Sequence, residues 1–308
     1  MTEPENKHVS GFVSILGRPN AGKSTLLNAL VGMKVAIVAD KPQTTRTSVQ
    51  GVLTEPGYQI VFIDTPGIHK ADNSIQKRMM DSVRNAVDDE PNVLLFLVDA
   101  TVPFSEADRK AVSLLQRSDA PAIVIFNKID LVKEKGKLLP LIEEYQKLHP
   151  FAAFVPISAR KGEGLDDLKK EIVQRLPEGP QYFPEDHVTD QPERFLAAEL
   201  VREQALLLTR EEVPHSVAVL IDKWETTPQL TRIFATIYVE REGQKRILVG
   251  AKGAMLKRIG TQSRLEMEKL LGLRIYLSLF VKVTPDWREK AAFLNAIDWR
   301  TMADADEK

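Results

Sequence analysis

The chain has 308 residues, of which 43% are hydrophobic and 28% are charged, and its formal net charge is −1. This length predicts two domains, and the composition is typical of a globular protein. The lack of cysteine excludes disulfides, thiol catalysis and Cys-based metal sites, and the even charge balance argues against nucleic-acid binding by the whole surface. The polar N-terminus and the lack of an 18-residue apolar run indicate neither a signal peptide nor a membrane span, so we expect an intracellular protein.

In the first half of the chain, short apolar segments alternate with amphipathic helical patterns. The apolar segments are residues 12–16, 60–64, 92–100, 122–127 and 153–158. Helical patterns occupy residues 105–117, 139–148 and 164–176. This alternation predicts a mostly parallel sheet with helices on both faces.

A phosphate-binding loop follows the first apolar segment. Residues 17–24 read GRPNAGKS, which matches GxxxxGK[ST], and a helical pattern begins at once. In such a loop, backbone N–H groups and the helix N-terminus hold phosphates, the lysine reaches the β and γ phosphates, and the serine binds Mg²⁺. A coincidental glycine-rich turn is the alternative. We expect nucleotide contacts from Gly17, Arg18, Pro19, Asn20, Ala21, Gly22, Lys23, Ser24 and Thr25.

A second polar segment, DTPG, ends the next apolar run at residues 64–67. Asp64 is expected to hold Mg²⁺ and the N–H of Gly67 to contact the γ-phosphate, with Thr65 and Pro66 between them. Alone, the same four residues form an ordinary turn, because Asp, Pro and Gly all favour turns.

Two further segments, NKID at 127–130 and ISA at 157–159, indicate the base. Asp130 accepts two hydrogen bonds from guanine that adenine cannot donate, which gives strong discrimination. Asn127 is expected to hold the purine N7 edge and the phosphate loop, and the Lys128 stem to cover the base. The N–H of Ala159, beside Ser158, is placed to read guanine O6. Each segment alone is as typical of a turn, whereas their order after successive strands predicts a guanine nucleotide site.

This set of motifs resembles that of the translation-factor-related GTPases. The segment KPQTTRTSVQG, at residues 41–51, is similar to the first switch of those proteins. The resemblance implies that one threonine coordinates Mg²⁺ and senses the γ-phosphate; we favour Thr45, with Thr44 as the alternative. A polar loop before the next strand is the other interpretation. The implied catalytic residues are Lys23, Thr45, Asp64 and Gly67, with Ser24, Thr45 and Asp64 around Mg²⁺.

The residue after DTPG is Ile68, where Ras-like enzymes carry the glutamine that orients water. A hydrocarbon side chain cannot orient water, so we expect slow intrinsic hydrolysis. Related GTPases imply that Asn20 holds K⁺ beside the phosphates, where the cation would supply charge to the transition state. The alternative for Asn20 is an ordinary turn residue. The alternative source of the charge is a group supplied by a binding partner.

The second half begins after a segment at 177–193 with five acidic residues, four prolines and no Lys or Arg. This composition predicts an extended linker, which we expect to lie over a basic groove in the GDP or nucleotide-free state. The following patterns predict the order α-β-β-α-α-β, with helices at 194–210, 245–249 and 254–271 and strands at 216–225, 230–242 and 274–283.

A basic segment surrounds GAKG at 250–253. Residues 245–290 contain eleven Lys or Arg and four Asp or Glu, a local net charge of +7. GxxG between two helices lets the backbone approach a sugar–phosphate chain, although a plain helix–helix turn has the same pattern. We expect RNA contacts from Lys245, Arg246, Ile247, Val249, Gly250, Ala251, Lys252, Gly253, Lys257 and Arg258.

The element order with GxxG resembles a type II KH domain, and the combination with the GTPase motifs resembles the bacterial Era GTPases over nearly the whole chain. The implied fold is an α/β P-loop GTPase domain plus an α+β type II KH domain. The expected bounds are 9–178 for the GTPase domain, 179–192 for the linker, 193–298 for the KH domain and 299–308 for a tail.

The resemblance also implies GTP/GDP and Mg²⁺ as ligands and binding near the 3′ end of 16S ribosomal RNA during small (30S) subunit maturation. It implies a cytoplasmic monomer with peripheral inner-membrane contact in some members. Three alternatives remain open: a scaffold that binds RNA constitutively, a tRNA-modifying GTPase and an ATPase. Asp130 argues against an ATPase. A tRNA-modifying GTPase is disfavoured because the sequence shows no catalytic or cofactor domain of the kind that such enzymes carry.

Overall fold

The computed structural model describes residues 8–41, 43–209, 213 and 216–299. The described chain divides into two compact units. Of the described residues, the first unit contains those within 1–36, 45–71 and 77–190, and the second contains those within 37–44, 72–76 and 191–308. The predicted tail at 299–308 lies outside the described residues except for Trp299. Among the helices that the structure describes, none has the apolar length needed to span a bilayer.

A six-stranded sheet forms the centre of the first unit. Its strands are β1 (Val9–Gly17), β2 (Val49–Glu55), β3 (Tyr58–Asp64), β4 (Val93–Asp99), β5 (Ala122–Asn127) and β6 (Ala153–Pro156). Their order is β2-β3-β1-β4-β5-β6, and every pair is parallel except β2–β3. The α/β prediction is confirmed, while the antiparallel edge strand β2 was not predicted.

Helices cover both faces of this sheet. They are α1 (Lys23–Val31), α2 (Ser74–Asp88), α3 (Glu106–Val112), α4 (Leu138–Gln146) and α5 (Leu165–Val173). Successive residues of a strand point to opposite faces, so Leu95 packs in one core cluster and Leu94 and Phe96 in the other. Because both faces are buried, the strands are apolar throughout and the polar site residues lie at the strand ends.

The acidic segment after α5 lies along the first unit. The N–H of Val52 in β2 donates to Val188 O at 2.8 Å, and Gln59 of β3 accepts from the N–H groups of Tyr182 and Phe183 at 2.7 and 3.0 Å. Ser10 of β1 donates to Pro180 O at 2.7 Å. The segment therefore pairs with strands of the first unit up to Asp190, and its expected position over the basic groove in the GDP or nucleotide-free state stays a prediction. The exact domain bounds stay a prediction.

The second unit has the predicted order α-β-β-α-α-β. Its elements are α6 (Glu193–Leu208), β7 (Ala218–Thr226), β8 (Thr231–Val239), α7 (Glu242–Val249), α8 (Ala254–Leu271) and β9 (Ile275–Val283), followed by α9 (Ala291–Ala296). The sheet order is β7-β8-β9, with β7–β8 antiparallel and β8–β9 parallel. The predicted helix at 194–210 ends at Leu208, and residue 210 lies outside the described part.

Candidate functional site

The phosphate loop joins β1 to α1 and meets the end of β3. In the register of the sheet, Ile15 pairs with Asp64, so the carboxyl ends of β1 and β3 lie side by side. Gly67 approaches the loop so closely that an added Cβ would lie 2.7 Å from the Cα and N atoms of Pro19. The N–H of Ile68 donates to Gly17 O at 3.0 Å. The two predicted phosphate-contacting segments thus form one surface, and only glycine fits at position 67.

Lys23 and Asp64 are both buried at this surface. The ammonium of Lys23, 6% exposed, donates to Gly17 O and Arg18 O at 3.1 Å each. Burial lowers the pKa of Lys23 to about 8, and attraction to Asp64 opposes that change. Burial raises the pKa of Asp64 to about 6, although the charge of Lys23 and hydrogen bonds from Ser24 and Thr65 act to lower it. A bound cation would favour the ionised carboxylate and bound phosphates the charged ammonium.

Two hydroxyl groups and one carboxylate form a candidate Mg²⁺ site. Ser24 Oγ lies 2.7 Å from Thr45 Oγ1 and donates to Asp64 Oδ2 at 2.6 Å. The other carboxylate oxygen, Asp64 Oδ1, is buried and has no partner among the described residues. An unsatisfied buried oxygen beside two hydroxyls fits the oxygen donors that Mg²⁺ requires, so these residues fit the implied ion.

The two threonines of the first switch point to different partners. Thr45 contacts Ser24, whereas the hydroxyl of Thr44 donates to Lys41 O at 2.6 Å and Ala39 O at 3.2 Å. This difference supports Thr45 as the Mg²⁺ ligand.

The side chains of Arg18 and Asn20 have different surroundings in the phosphate loop. The guanidinium of Arg18 donates to Ser105 Oγ and Asp108 Oδ2 at 3.1 Å each, so its side chain is tied to the start of α3. Asn20 is exposed and adopts a left-handed backbone with φ 62°. Arg18 therefore offers its backbone to the loop, while the side chain of Asn20 is exposed at the surface of the loop.

The base-binding segments meet at the ends of β5 and β6. Asn127, 3% exposed, donates from Nδ2 to Ala21 O at 2.8 Å and accepts at Oδ1 from the N–H groups of Ala159 and Lys128 at 3.0 and 2.8 Å. One side chain thus holds the phosphate loop and both base loops. A contact between the Ala159 N–H and guanine O6 would have to be shared with Asn127.

Two more bonds arrange the groups that are predicted to contact guanine. Ser158 Oγ donates to Asp130 Oδ1 at 2.7 Å, which leaves Asp130 Oδ2 for a base. Lys128 Nζ lies 2.6 Å from Asp99 Oδ2, at the end of β4. Burial raises the pKa of Asp99, but the hydrogen bonds from Lys128 and Thr101 outweigh it and lower the pKa overall. Asp99 was not predicted as a site residue. The available signal was its position at the end of the apolar strand β4, which lies between β1 and β5 in the sheet.

The candidate RNA interface lies in the second unit. GAKG joins α7 to α8 with positive φ at Gly250, Lys252 and Gly253 (70°, 50° and 79°). Next to it, a groove of about 400 Å³ lies between α8 and β9. Its α8 side is formed by Gly253, Leu256, Lys257, Gly260, Thr261 and Arg264, and its β9 side by Tyr276, Leu277, Ser278 and Leu279.

The groove contains Gly253 and Lys257 from the predicted RNA set but not the rest of that set. Lys252, Arg246 and Arg258 are exposed, and the exposed Ile247 belongs to α7. The later turns of α8 and all of β9 were not predicted as part of the groove. The three- and four-residue spacing of the α8 groove residues, which places them on one helix face, was the available signal.

Comparisons with known proteins agree with this geometry. Residues 12–128 match the family model described as 50S ribosome-binding GTPase, and residues 212–288 match the KH domain model. The chain is 47% identical over 297 residues to GTPase Era of Geobacter metallireducens, covering 96% of this chain and 99% of the relative. It is 48% identical over 295 residues to GTPase Era of Lactobacillus delbrueckii subsp. bulgaricus, covering 96% and 97%.

Two solved structures are similar over nearly their whole length. One is an Aquifex aeolicus Era variant bound to GDP·AlF₄⁻, with TM-score 0.91, 44% identity and coverage of 94% of this chain and 99% of that chain. The other is Era in complex with MgGDPNP and nucleotides 1506–1542 of 16S ribosomal RNA, with TM-score 0.92, 44% identity and coverage of 95% and 99%.

Proposed function

This chain belongs to the Era family of GTPases and hydrolyses GTP, and we propose that its nucleotide state controls binding of the 3′ end of 16S ribosomal RNA in maturation of the small (30S) ribosomal subunit. The observation that carries the GTP-dependent part is the Ser24 hydroxyl held between Thr45 and Asp64, beside the buried Lys23. The RNA part rests on the basic groove of the KH unit and on the RNA complex of a similar Era structure.

The residues divide the work of hydrolysis. Mg²⁺, when bound, neutralises charge that develops on the phosphates. Lys23 and the N–H groups of the phosphate loop bind and orient the β and γ phosphates, and Gly67 closes the site against Pro19. Ile68 cannot polarise water, so we propose slow turnover by the protein alone. Thr45 and Gly67 connect the γ-phosphate to the two switch segments, which loosen once that phosphate leaves.

A monovalent cation is a proposed source of the missing transition-state charge. The exposed Asn20 would hold K⁺ beside the phosphates, where an arginine finger acts in other GTPases. GTP turnover should be higher in KCl than in NaCl at equal ionic strength, and Asn20→Ala should abolish the difference. Equal turnover of the unsubstituted protein in both salts would contradict this role.

The RNA-binding role is tested by titrating the full chain with a labelled RNA from the 3′ end of 16S ribosomal RNA. The double variant Lys252→Ala, Lys257→Ala should weaken binding and reduce the slope of log affinity against log salt by about 1.4, or 0.7 for each phosphate contact in single-stranded nucleic acid. Lys133→Ala, which removes an exposed lysine of the first unit, is the matched control and should change neither quantity. An unchanged slope in the double variant would contradict an RNA site at GAKG.

The resemblance further predicts a monomer in the cytoplasm, with peripheral contact to the inner membrane in some members of the family. We retain these as predictions. Sedimentation with vesicles of bacterial inner-membrane lipids tests the membrane contact, and analytical ultracentrifugation tests the monomer.

A further inference from the structure

The outer face of the second unit's sheet carries exposed aromatic rings. Along β9, Ile275, Leu277 and Leu279 pack against the core, so Tyr276 and Phe280 point to the other side, where they are 51% and 59% exposed. Exposed large apolar groups that cluster on one face mark interaction sites. We propose that this face is a second contact surface for single-stranded RNA, on which bases stack after leaving the groove between α8 and β9. The inference rests on the proposed RNA-binding function.

Three rings form this surface, which we name the aromatic face: Phe234 on β8, and Tyr276 and Phe280 on β9. Phe234 pairs in register with Ser278, midway between the two β9 rings. The rings of Phe234 and Tyr276 are 6.2 Å apart and inclined at 62°. Tyr276 and Phe280 are four residues apart, or about 13 Å along a strand. The face therefore presents aromatic surface to more than one base.

Cations lie at both ends of the aromatic face. Arg232 pairs in register with Tyr276, and Lys282 lies two residues beyond Phe280; both are exposed. In the described part of the chain, Lys282 has no hydrogen bond or ion pair. The neighbouring acids on β7 are engaged, since Asp222 accepts the hydroxyl of Thr236 at 2.7 Å and Glu225 pairs with Lys223 at 2.6 Å. Cations that flank aromatic rings match the phosphates and bases of a single strand.

The aromatic face continues directly from the groove. Tyr276 and Ser278 line the groove and also belong to the outer row of β9. A KH groove holds about four nucleotides, so a longer single strand must leave it. A strand that leaves over the edge strand β9 meets the aromatic face next. Rings interspersed with serine, arginine and lysine suit RNA better than a protein partner, for which a continuous apolar patch would be expected.

The test compares two RNA probes on the full chain with a GTP analogue: four and twelve nucleotides from the 3′ end of 16S ribosomal RNA. Phe280→Ala should weaken binding of the twelve-nucleotide probe about 5- to 150-fold, which corresponds to one stacked base. It should leave the four-nucleotide probe unchanged, and Phe280→Trp should retain binding of both. Leu207→Ala, which truncates an apolar side chain 53% exposed on α6, is the matched control and should affect neither probe.

The possible outcomes separate this inference from the proposed function. If the unsubstituted protein binds neither probe, both fail. If it binds both probes equally tightly, the RNA-binding function stands and the aromatic face does not contribute. Equal weakening of both probes by Phe280→Ala would mean that the substitution acts through the groove, and would overturn the inference. Self-association that requires Phe280 would assign the face to a second copy of the chain and would overturn it as well.

Discussion

Replacement of Asn127 by alanine should disconnect three loops at once. Asn127 holds the carbonyl of Ala21 and the N–H groups of Lys128 and Ala159 through one buried amide. In Asn127→Ala, the Ala21 carbonyl and the Ala159 N–H stay buried without a partner, since both residues are less than 5% exposed. An unsatisfied buried group costs about 1–3 kcal/mol, so the two together lower the free energy of unfolding by about 2–6 kcal/mol.

The affinity for nucleotide should fall together with the free energy of unfolding, because the hydrogen bonds of Asn127 that connect the phosphate loop to the base loops are lost. We expect at least a tenfold weaker affinity for GDP, or about 1.4 kcal/mol. Urea unfolding and titration with a fluorescent GDP measure the two effects. Asn92→Ala is the matched control: it removes one exposed bond to the N–H of Phe12, at the far end of β1. It should cost about 1 kcal/mol or less and leave GDP affinity unchanged. If Asn127→Ala binds GDP as tightly as Asn92→Ala, the proposed tie is wrong.

Three further changes have distinct signatures. Asp130→Asn should shift the preference from GTP towards xanthosine triphosphate, because the amide donates to the additional base carbonyl; competition binding measures this, and an unchanged preference would contradict the role. Gly67→Ala should sharply reduce the rate of single-turnover GTP hydrolysis, because the added Cβ would meet the backbone of Pro19. Gly136→Ala is the control, since a Cβ at that position meets open space and should leave the rate unchanged. Equal rates in the two variants would exclude the close approach of Gly67 to Pro19. Burial lowers the pKa of His149 from its ordinary value of 6.5, so the unfolded state takes up the proton at a higher pH than the folded state does. The free energy of unfolding should therefore fall as the pH decreases through 6.5, and His149→Gln should reduce that fall. Urea unfolding at pH 7.5 and 5.5 measures it, and an equal fall in both proteins would refute the prediction.

The nucleotide site was predictable because its parts follow strands. Parallel strands place their carboxyl ends at one edge, so Gly17, Asp64 and Asn127 come together without knowledge of any helix position. The resemblance favoured Thr45 as the Mg²⁺ ligand, with Thr44 as the alternative, and the neighbouring sequence did not decide between them. The structure separates them, since Thr44 bonds to its own loop and Thr45 to Ser24.

Other elements were missed for identifiable reasons. Helix α2 buries Ile75, Met79, Val83 and Val87, a four-residue repeat that lies among charged residues and was overlooked. The acidic segment has the composition of a linker, but its backbone groups find partners on strands that are distant in sequence, which composition does not encode. Likewise, the groove depends on how α8 packs beside β9, so a local search around GAKG found only its near end.

Control of RNA binding by the nucleotide is measured by the affinity of the full chain for the 3′-terminal 16S RNA, once with a GTP analogue and once with GDP. We expect at least tenfold tighter binding with the GTP analogue in Mg²⁺, and loss of this difference in Thr45→Ala. Equal affinity in both nucleotide states would rule out control of RNA binding by the nucleotide and would indicate a protein that binds RNA constitutively, with GTP serving only to stabilise the fold.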